Sequence, residues 1–165
     1  ELGALVCVPN GAPLCEQCPL AHLCQARAAG TTAELPQKAK PKPRKVQPVT
    51  VALVESPAGF LVQQRPAKGL LAGLWQPVLW EGEHLLQAEV LERLAALGLD
   101  TGGAAPEALP AAKHIFSHIE WLLSGVQLSV SAQPAPAGYV WTSREELRTV
   151  YTLPGAFAAY KSRMQ

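Results

Sequence analysis

The chain has 165 residues, of which 48% are hydrophobic and 16% are charged, with 14 basic against 13 acidic side chains. That length holds one full domain and a small extra segment, and the hydrophobic content excludes global disorder. The apolar runs are shorter than the ~20 residues of a membrane span, and the first residues lack the pattern of a signal peptide.

The first feature along the chain is a group of four cysteines within 18 residues. They follow the spacing C-x7-C-x2-C-x5-C, at Cys7, Cys15, Cys18 and Cys24. Thiolates this close in sequence favour a metal site, because sulfur suits Zn²⁺ or an iron–sulfur cluster. Two disulfides are the alternative, but they are typical of small secreted domains rather than of a chain with a large cysteine-free remainder. The spacing alone leaves zinc and iron–sulfur open.

Residues 31–47 form a basic, proline-rich segment that we interpret as a linker. Proline favours an extended path and disfavours helices and central strands. The cations of this segment are candidate phosphate contacts, because each such contact adds to a salt-dependent affinity for nucleic acid; the alternative is that they only keep the linker soluble. They are Lys38, Lys40, Lys42, Arg44 and Lys45.

After the linker, alternating strand-like and helix-like patterns predict a folded α+β body. β-branched runs bounded by turn residues predict strands, and apolar residues at helical spacing predict a helix before Gly98. Ser143 and Glu146 have the spacing of a capping box, and Pro154 is placed to begin a final helix. In chain order we predict strands at 49–54 and 60–63 joined as a hairpin, a loop at 68–73, a strand at 75–80, a helix at 84–97, a loose stretch at 101–110, strands at 114–116, 121–130 and 139–142, a short helix capped by Ser143, and a final helix at 154–160.

Ordered motifs on both sides of the linker resemble the C-terminal region of MutY-type adenine DNA glycosylases. They are the four-cysteine spacing, QRP at 64–66, GLLAGLW at 69–75 and HIFSH at 114–118. The resemblance implies an α+β, Nudix-like mixed sheet with flanking helices, preceded by a linker and a short cysteine-rich segment from a truncated all-α domain. The implied parts are a cluster segment at 1–30, the linker at 31–47 and a recognition domain at 48–165.

The resemblance also chooses between the two kinds of metal site. These glycosylases close their catalytic region with four cysteines that hold a 4Fe–4S cluster. The first cysteine gap here is one residue longer than the family's usual six, and Asn10-Gly11 offers a turn that absorbs the insertion. The implied cluster ligands are Cys7, Cys15, Cys18 and Cys24.

A Nudix-like body raises the question of whether it hydrolyses nucleotides. The Nudix signature, G-x5-E-x7-R-E-U-x-E-E-x-G-U with U a bulky aliphatic residue, supplies carboxylates that hold Mg²⁺. When Gly98 and Leu99 are placed on its closing Gly-U pair, the paired glutamates fall on Ala95 and Ala96, and only Glu92 matches. We therefore expect no Mg²⁺-dependent hydrolase site.

The motif at 114–118 places Phe116, Ser117 and His118 at the end of a predicted strand, where we expect a loop tip. In the resembling family this loop reaches 8-oxoguanine opposite the adenine to be removed. A hydroxyl both donates and accepts, which suits a base whose N7 has become a donor and whose C8 carries a carbonyl. An aromatic ring can support a base or wedge against it, and His118 can bond to a base or a phosphate. From the residues alone, the alternative is a core phenylalanine followed by a solvated turn.

Four tryptophans invite a similar choice between a stacking platform for single strands and core packing. Their scatter over separate predicted elements favours the core, because aromatic side chains bury large areas. They are Trp75, Trp80, Trp121 and Trp141.

The resemblance thus implies part of an adenine DNA glycosylase that acts in base excision repair on adenine mispaired with 8-oxoguanine. The catalytic acidic residues are expected in a preceding region, so no catalytic residue is assigned here and the chain alone is expected to be inactive. Expected partners are duplex DNA with an 8-oxoguanine·adenine pair and a sliding clamp, with no membrane and a monomeric state. The expected location is the bacterial cytoplasm, or the nucleus or mitochondrion of a eukaryote. The alternative is a protein-binding module of a repair complex, built on a catalytically inactive Nudix-like fold.

Overall fold

The structure is a computed structural model that describes residues 1–37 and 43–164. It divides into two compact units, Glu1–Lys42 and Pro43–Gln165. The first unit consists of short helical turns. Helix α1 spans Leu2–Leu5, α2 spans Gln25–Ala28, and 3₁₀ turns occupy Cys15–Gln17, Ala21–Leu23 and Thr32–Glu34.

Within the described residues of the second unit, seven strands form one sheet in the order β4-β6-β1-β3-β2-β7, with β5 also paired to β6. The sheet is mixed, because β1 and β6 run parallel and the other pairs are antiparallel. The strands are β1 Lys45–Ser56, β2 Gly59–Gln64, β3 Trp75–Glu81, β4 Glu107–Ala108, β5 Ala112–Ile115, β6 Ile119–Ser129 and β7 Tyr139–Thr142. The helices are α3 Gln87–Ala96, α4 Glu146–Thr149 and α5 Lys161–Met164, with a 3₁₀ helix at Gly155–Tyr160.

The core lies on both faces of this sheet. Side chains alternate along a strand, so Val51 of β1 enters one hydrophobic cluster and its neighbour Ala52 enters the other. One cluster includes Tyr160 from the C-terminal 3₁₀ helix, and the second includes Leu94 from α3. The sheet therefore lies between α3 and the C-terminal helices, as the expected mixed sheet with flanking helices requires.

The predicted β-hairpin is present, and its first strand is longer than expected. Residue pairs Glu55–Phe60 and Ser56–Gly59 close the hairpin. Strand β1 begins at Lys45, inside the segment interpreted as linker, because residues 45–48 pair in parallel with the start of β6. The strand accommodates Pro48 there because β3 pairs with β1 only from Val49 onward.

Two predicted helices differ in their details. Helix α3 begins at Gln87 rather than at 84, because Thr50 Oγ1 donates to Glu83 O and accepts from Leu85 N, both at 2.9 Å. These bonds hold the preceding residues as a loop on the sheet. The helix expected after Pro154 is a 3₁₀ helix followed by α5, and its Phe157 has non-helical dihedral angles.

Two further predictions, both about strands near the candidate site, need correction. The loose stretch at 101–110 contains β4, which is only two residues long and pairs with β6. Strand β6 begins at Ile119 and not at Trp121, because β1 continues far enough to pair with it.

Among the described residues, no helix combines the length and the apolar character needed to cross a membrane.

Candidate nucleic-acid interface and cysteine cavity

The FSH loop, residues 116–118, connects the edge strand β5 to β6. Phe116 N donates to Ile119 O at 2.8 Å, which closes the hairpin and leaves Ser117 and His118 as its two turn residues. The loop between β5 and β6 is shorter than predicted, because β6 begins directly after it at Ile119. The expected loop tip at the end of a strand is present.

Phe116 faces the core rather than the solvent. Its ring meets His114 at 4.6 Å and Trp121 at 5.1 Å between centroids, both edge to face, which is a favourable arrangement for aromatic pairs. Trp121 itself is fully buried. Phe116 is partly buried and packs against the core beneath the loop, and its contact with a base stays a prediction.

Ser117 and His118 present their side chains to solvent at the loop tip. Ser117 Oγ lies 3.1 Å from His118 Nδ1, so the two side chains share a hydrogen bond whose direction follows the imidazole tautomer. A hydroxyl and an imidazole next to each other supply both donors and acceptors. The tip can therefore bond to a polar base edge or to a phosphate.

The two described linker cations lie against this loop. Arg44 Nε donates to Phe116 O at 3.1 Å, and Lys45 N donates to His118 O at 3.1 Å. Both residues are exposed. The remaining candidate phosphate contacts, Lys38, Lys40 and Lys42, lie outside the described residues.

Arg65, from the QRP motif, organises the loop between β2 and β3, a role that the sequence did not reveal. Its guanidinium donates to Glu81 Oε1 at 2.6 Å, to Leu70 O at 2.7 Å and to Gln76 Oε1, and it lies 5.7 Å from the centre of the Trp121 ring. The side chain is only 10% exposed, so these bonds satisfy a nearly buried charge. The sequence signal for this role was the position of Arg65 next to Pro66 and just before the glycine-bearing loop at 68–73.

In α3, the helix that corresponds to the Nudix signature, one of the two carboxylates has a structural role. Glu89 Oε2 accepts a hydrogen bond from Leu86 N at 2.6 Å at the start of α3. Glu92 is exposed, and the exposed positions of the paired glutamates are occupied by Ala95 and Ala96. A methyl group offers no oxygen ligand, so these two positions cannot hold Mg²⁺, and the absence of a Mg²⁺ site stays a prediction.

In the first unit, all four cysteines line one cavity of about 570 Å³. They are free thiols, and three are partly buried while Cys7 is exposed. The remaining lining is mainly apolar, including Val6, Val8 and Leu35. Four cysteines that line one apolar cavity fit a group that binds through thiolate.

The grouping of these donors bears on which thiolate-bound group fits. Among the described residues, no three His, Cys, Asp or Glu side chains are grouped to hold one metal ion. A single tetrahedral Zn²⁺ with bonds of about 2.3 Å requires sulfurs only ~3.8 Å apart. An iron–sulfur cluster contains several metal and sulfide atoms, so its ligating sulfurs stand further apart. Which of these two groups the cavity holds stays a prediction.

Comparison with known proteins places this fold in a family. A family model described as the NUDIX domain matches residues 49–162, which is more than half of the chain. The chain belongs to the Nudix family. Its matched residues contain the whole sheet from Val49 onward, α3 and most of the C-terminal helices.

Curated relatives of this Nudix chain are adenine DNA glycosylases. The Homo sapiens enzyme is 29% identical over 90% of this chain and 37% of its own length. The Mus musculus enzyme is 28% identical over 88% of this chain and 38% of its own length. The resemblance to MutY-type glycosylases is confirmed, and the chain spans less than two fifths of these relatives.

Solved structures agree on the Nudix fold. The C-terminal domain of mouse MUTYH, determined in complex with human PCNA, matches 71% of this chain and 88% of its own chain with a TM-score of 0.56 and 25% identity. The MutT protein from Methanosarcina mazei Go1 matches 74% of this chain and 95% of its own with a TM-score of 0.57 and 17% identity. The expected Nudix-like mixed sheet is therefore confirmed.

Proposed function

We propose that this chain is the lesion-recognition and DNA-binding part of an adenine DNA glycosylase that acts in base excision repair on adenine opposite 8-oxoguanine. The observation that carries the proposal is the FSH loop, which projects two polar side chains from a hairpin whose Phe116 packs against the buried Trp121. The similarity to adenine DNA glycosylases over most of the chain supports the assignment.

The chemistry of the loop matches what distinguishes 8-oxoguanine from guanine. Oxidation turns N7 from an acceptor into a donor and adds a carbonyl at C8. The Ser117 hydroxyl can accept from the first and donate to the second, and His118 lies close enough to fix its orientation. Phe116 packs beneath the loop and fixes its position, so that the side chains of Ser117 and His118 can contact a base.

The glycosidic bond itself is cleaved, under this proposal, by residues outside this chain. Enzymes of this kind extrude the target base into a pocket before acting on it. Two acidic side chains of the Nudix unit have structural contacts: Glu89 accepts a bond at the start of α3, and Glu120 pairs with Lys113 at 3.5 Å. We therefore assign no catalytic residue and expect the chain alone to release no adenine.

The proposal is tested by measuring the affinity of the 165-residue chain for two duplexes that differ only in 8-oxoguanine or guanine opposite adenine. We expect tighter binding of the damaged duplex. Ser117→Ala should lower that preference about 3- to 10-fold, because it removes one hydrogen bond made only to the lesion. Ser162→Ala, an exposed serine in α5, is the matched control and should leave the preference unchanged. Equal affinity of the unaltered chain for both duplexes would refute the lesion-reading role.

A second candidate function is protein binding, and one observation favours it. The similar C-terminal domain of mouse MUTYH was solved in complex with human PCNA. We propose a sliding clamp as a partner of the Nudix unit, alongside DNA. Clamp binding with no preference between the two duplexes would favour a protein-binding module over a lesion reader.

We also propose that the cysteine segment holds a 4Fe–4S cluster. Its four thiols line one apolar cavity, which fits such a group. When bound, the cluster would serve as a structural cross-link, because thiolate ligation joins turns that share few other contacts. The ligands would be Cys7, Cys15, Cys18 and Cys24.

A further inference from the structure

The exposed side chain of Arg44 donates a hydrogen bond to the main chain of the FSH loop. We propose that Arg44 is a positioning residue that holds the FSH loop in its lesion-reading conformation by hydrogen bonding to the main chain of Phe116. This inference rests on the proposed function, which makes the loop the lesion reader. It adds a residue 72 positions away in sequence to the recognition machinery.

Two consecutive residues, Arg44 and Lys45, tie down both ends of the loop. Arg44 Nε donates to the carbonyl of Phe116 and the main-chain nitrogen of Lys45 donates to the carbonyl of His118, each at 3.1 Å. The first bond depends on a side chain, while the second depends only on the backbone. Only the bond from Arg44 can therefore be removed by substitution without breaking the parallel pairing of β1 with β6.

The turn at the loop tip has an uncommon backbone conformation for a hairpin. Two-residue hairpin turns favour types I′ and II′, whose first central residue has a positive φ and is usually Gly or Asn. Among the described residues, Leu71 is the one non-glycine residue with a positive φ, so Ser117 and His118 adopt neither type. A turn outside the favoured hairpin types gains more from external hydrogen bonds. The Arg44 guanidinium supplies such a bond at the carbonyl that immediately precedes Ser117.

The guanidinium of Arg44 is a donor suited to orienting a peptide unit. Its donors have a planar, fixed arrangement, so a bond from Nε sets the direction of the carbonyl it meets. The carbonyl of Phe116 belongs to the peptide unit that leads into Ser117, and its orientation determines where the Ser117 hydroxyl points. Loss of the bond therefore changes recognition more than it changes the fold, whose core lies below the loop.

The test compares Arg44→Ala with Lys45→Ala in the 165-residue chain. Each variant removes one positive charge at neighbouring positions, but Lys45→Ala keeps the main-chain bond to His118. If Arg44 positions the loop, Arg44→Ala lowers the preference for the 8-oxoguanine duplex about 3- to 10-fold, as Ser117→Ala does. Lys45→Ala weakens binding of both duplexes by the same factor and leaves the preference unchanged.

A double variant separates positioning from a direct contact with DNA. Because Arg44 acts through the Ser117 contact, Arg44→Ala combined with Ser117→Ala should show the same preference as Ser117→Ala alone. Additive losses would overturn the inference. A second result would also overturn it: Arg44→Ala keeps the preference for the 8-oxoguanine duplex, and the slope of log affinity against log salt concentration becomes shallower by about 0.9. That result identifies Arg44 as a phosphate contact.

Amide hydrogen exchange makes the inference testable without DNA. The Phe116 amide is bonded to Ile119 O, so its exchange reports closure of the hairpin. Exchange at Phe116 should accelerate in Arg44→Ala and not in Lys45→Ala, and unchanged exchange would overturn the positioning role. If the unaltered chain shows no preference for damaged DNA while this exchange result is obtained, the proposed function fails and the role of Arg44 in loop geometry stands.

Discussion

Gly125 of β6 lies directly opposite Val51 of β1, in the strand pair whose ends carry the FSH loop and Arg44. A methyl group at this position would meet Val51 O at 1.9 Å, which is main-chain oxygen and cannot rotate away. We predict that Gly125→Ala lowers the free energy of unfolding by about 3 kcal/mol, because overpacking here requires the strands to separate. Urea unfolding followed by tryptophan fluorescence measures the change.

The matched control for this substitution is Gly155→Ala. An added methyl group at Gly155 meets no atom within 4 Å, and the residue has no positive φ. We expect its stability to change by less than about 1 kcal/mol. A Gly125→Ala variant as stable as this control would show that the β1–β6 approach is looser than the structure has it.

Single residues also show where prediction from sequence succeeds and where it stops. The motif at 114–118 was enough to locate a polar loop tip, because strand-like residues precede it. It did not show that Phe116 packs against Trp121, since that contact depends on the pairing of β5 with β6. Arg44 was visible only as one of five cations, because no local pattern reveals a bond to a carbonyl 72 residues away.

At the scale of elements, the capping box before α4 was predicted correctly. Glu146 N donates to Ser143 Oγ at 3.2 Å, and Ser143 N donates to Glu146 Oε2 at 2.9 Å. The main-chain and side-chain hydrogen bonds from Ser143 hold the pKa of Glu146 below its ordinary value. Such a carboxylate stabilises the fold above its unfolded-state pKa, and the contribution disappears as the pH falls through the lower folded-state pKa.

We therefore predict that the stability of this chain becomes less dependent on pH in Glu146→Gln. The measurement is urea unfolding between about pH 7 and about pH 2, on either side of the ordinary glutamate pKa. The free energy of unfolding of the variant should lack the part that Glu146 contributes at neutral pH and loses at acidic pH, because an amide does not titrate. Glu145→Gln, the adjacent exposed carboxylate, is the control. An equal loss in both variants would contradict the role of the capping box.

Other elements deviated from expectation because tertiary packing decides them. The segment after Pro154 is a 3₁₀ helix, in which residues three apart lie on one face, and this places Phe157 and Tyr160 together against the sheet. Periodicity alone does not distinguish this helix from an α-helix over six residues. Strand β1 extends to Lys45 because β6 offers a parallel partner, which a local sequence pattern cannot show.

At the scale of the whole molecule, an almost neutral charge conceals two different parts. Residues 1–48 carry six basic and three acidic side chains, whereas residues 49–165 carry eight and ten. The Nudix fold and its family were predictable because motifs occur in order along most of the chain, and the fold has enough hydrophobic strands to bury both faces of a sheet. The cysteine spacing predicted a metal site but left its metal open, since spacing does not fix the distances between sulfurs.

The identity of the bound group is the prediction that belongs to this scale. After anaerobic incubation with ferrous iron and sulfide, we expect about four iron and four sulfide per chain and a broad visible absorption, because four cysteines line one cavity. Cys18→Ser should lower the iron content sharply, since the chain has no cysteine beyond these four to replace the ligand. His22→Ala, which removes an exposed alternative ligand between Cys18 and Cys24, should leave the iron content unchanged. Stoichiometric zinc without sulfide would contradict the cluster, and it would mean that the thiols close around a single ion at the shorter sulfur separations that tetrahedral zinc requires.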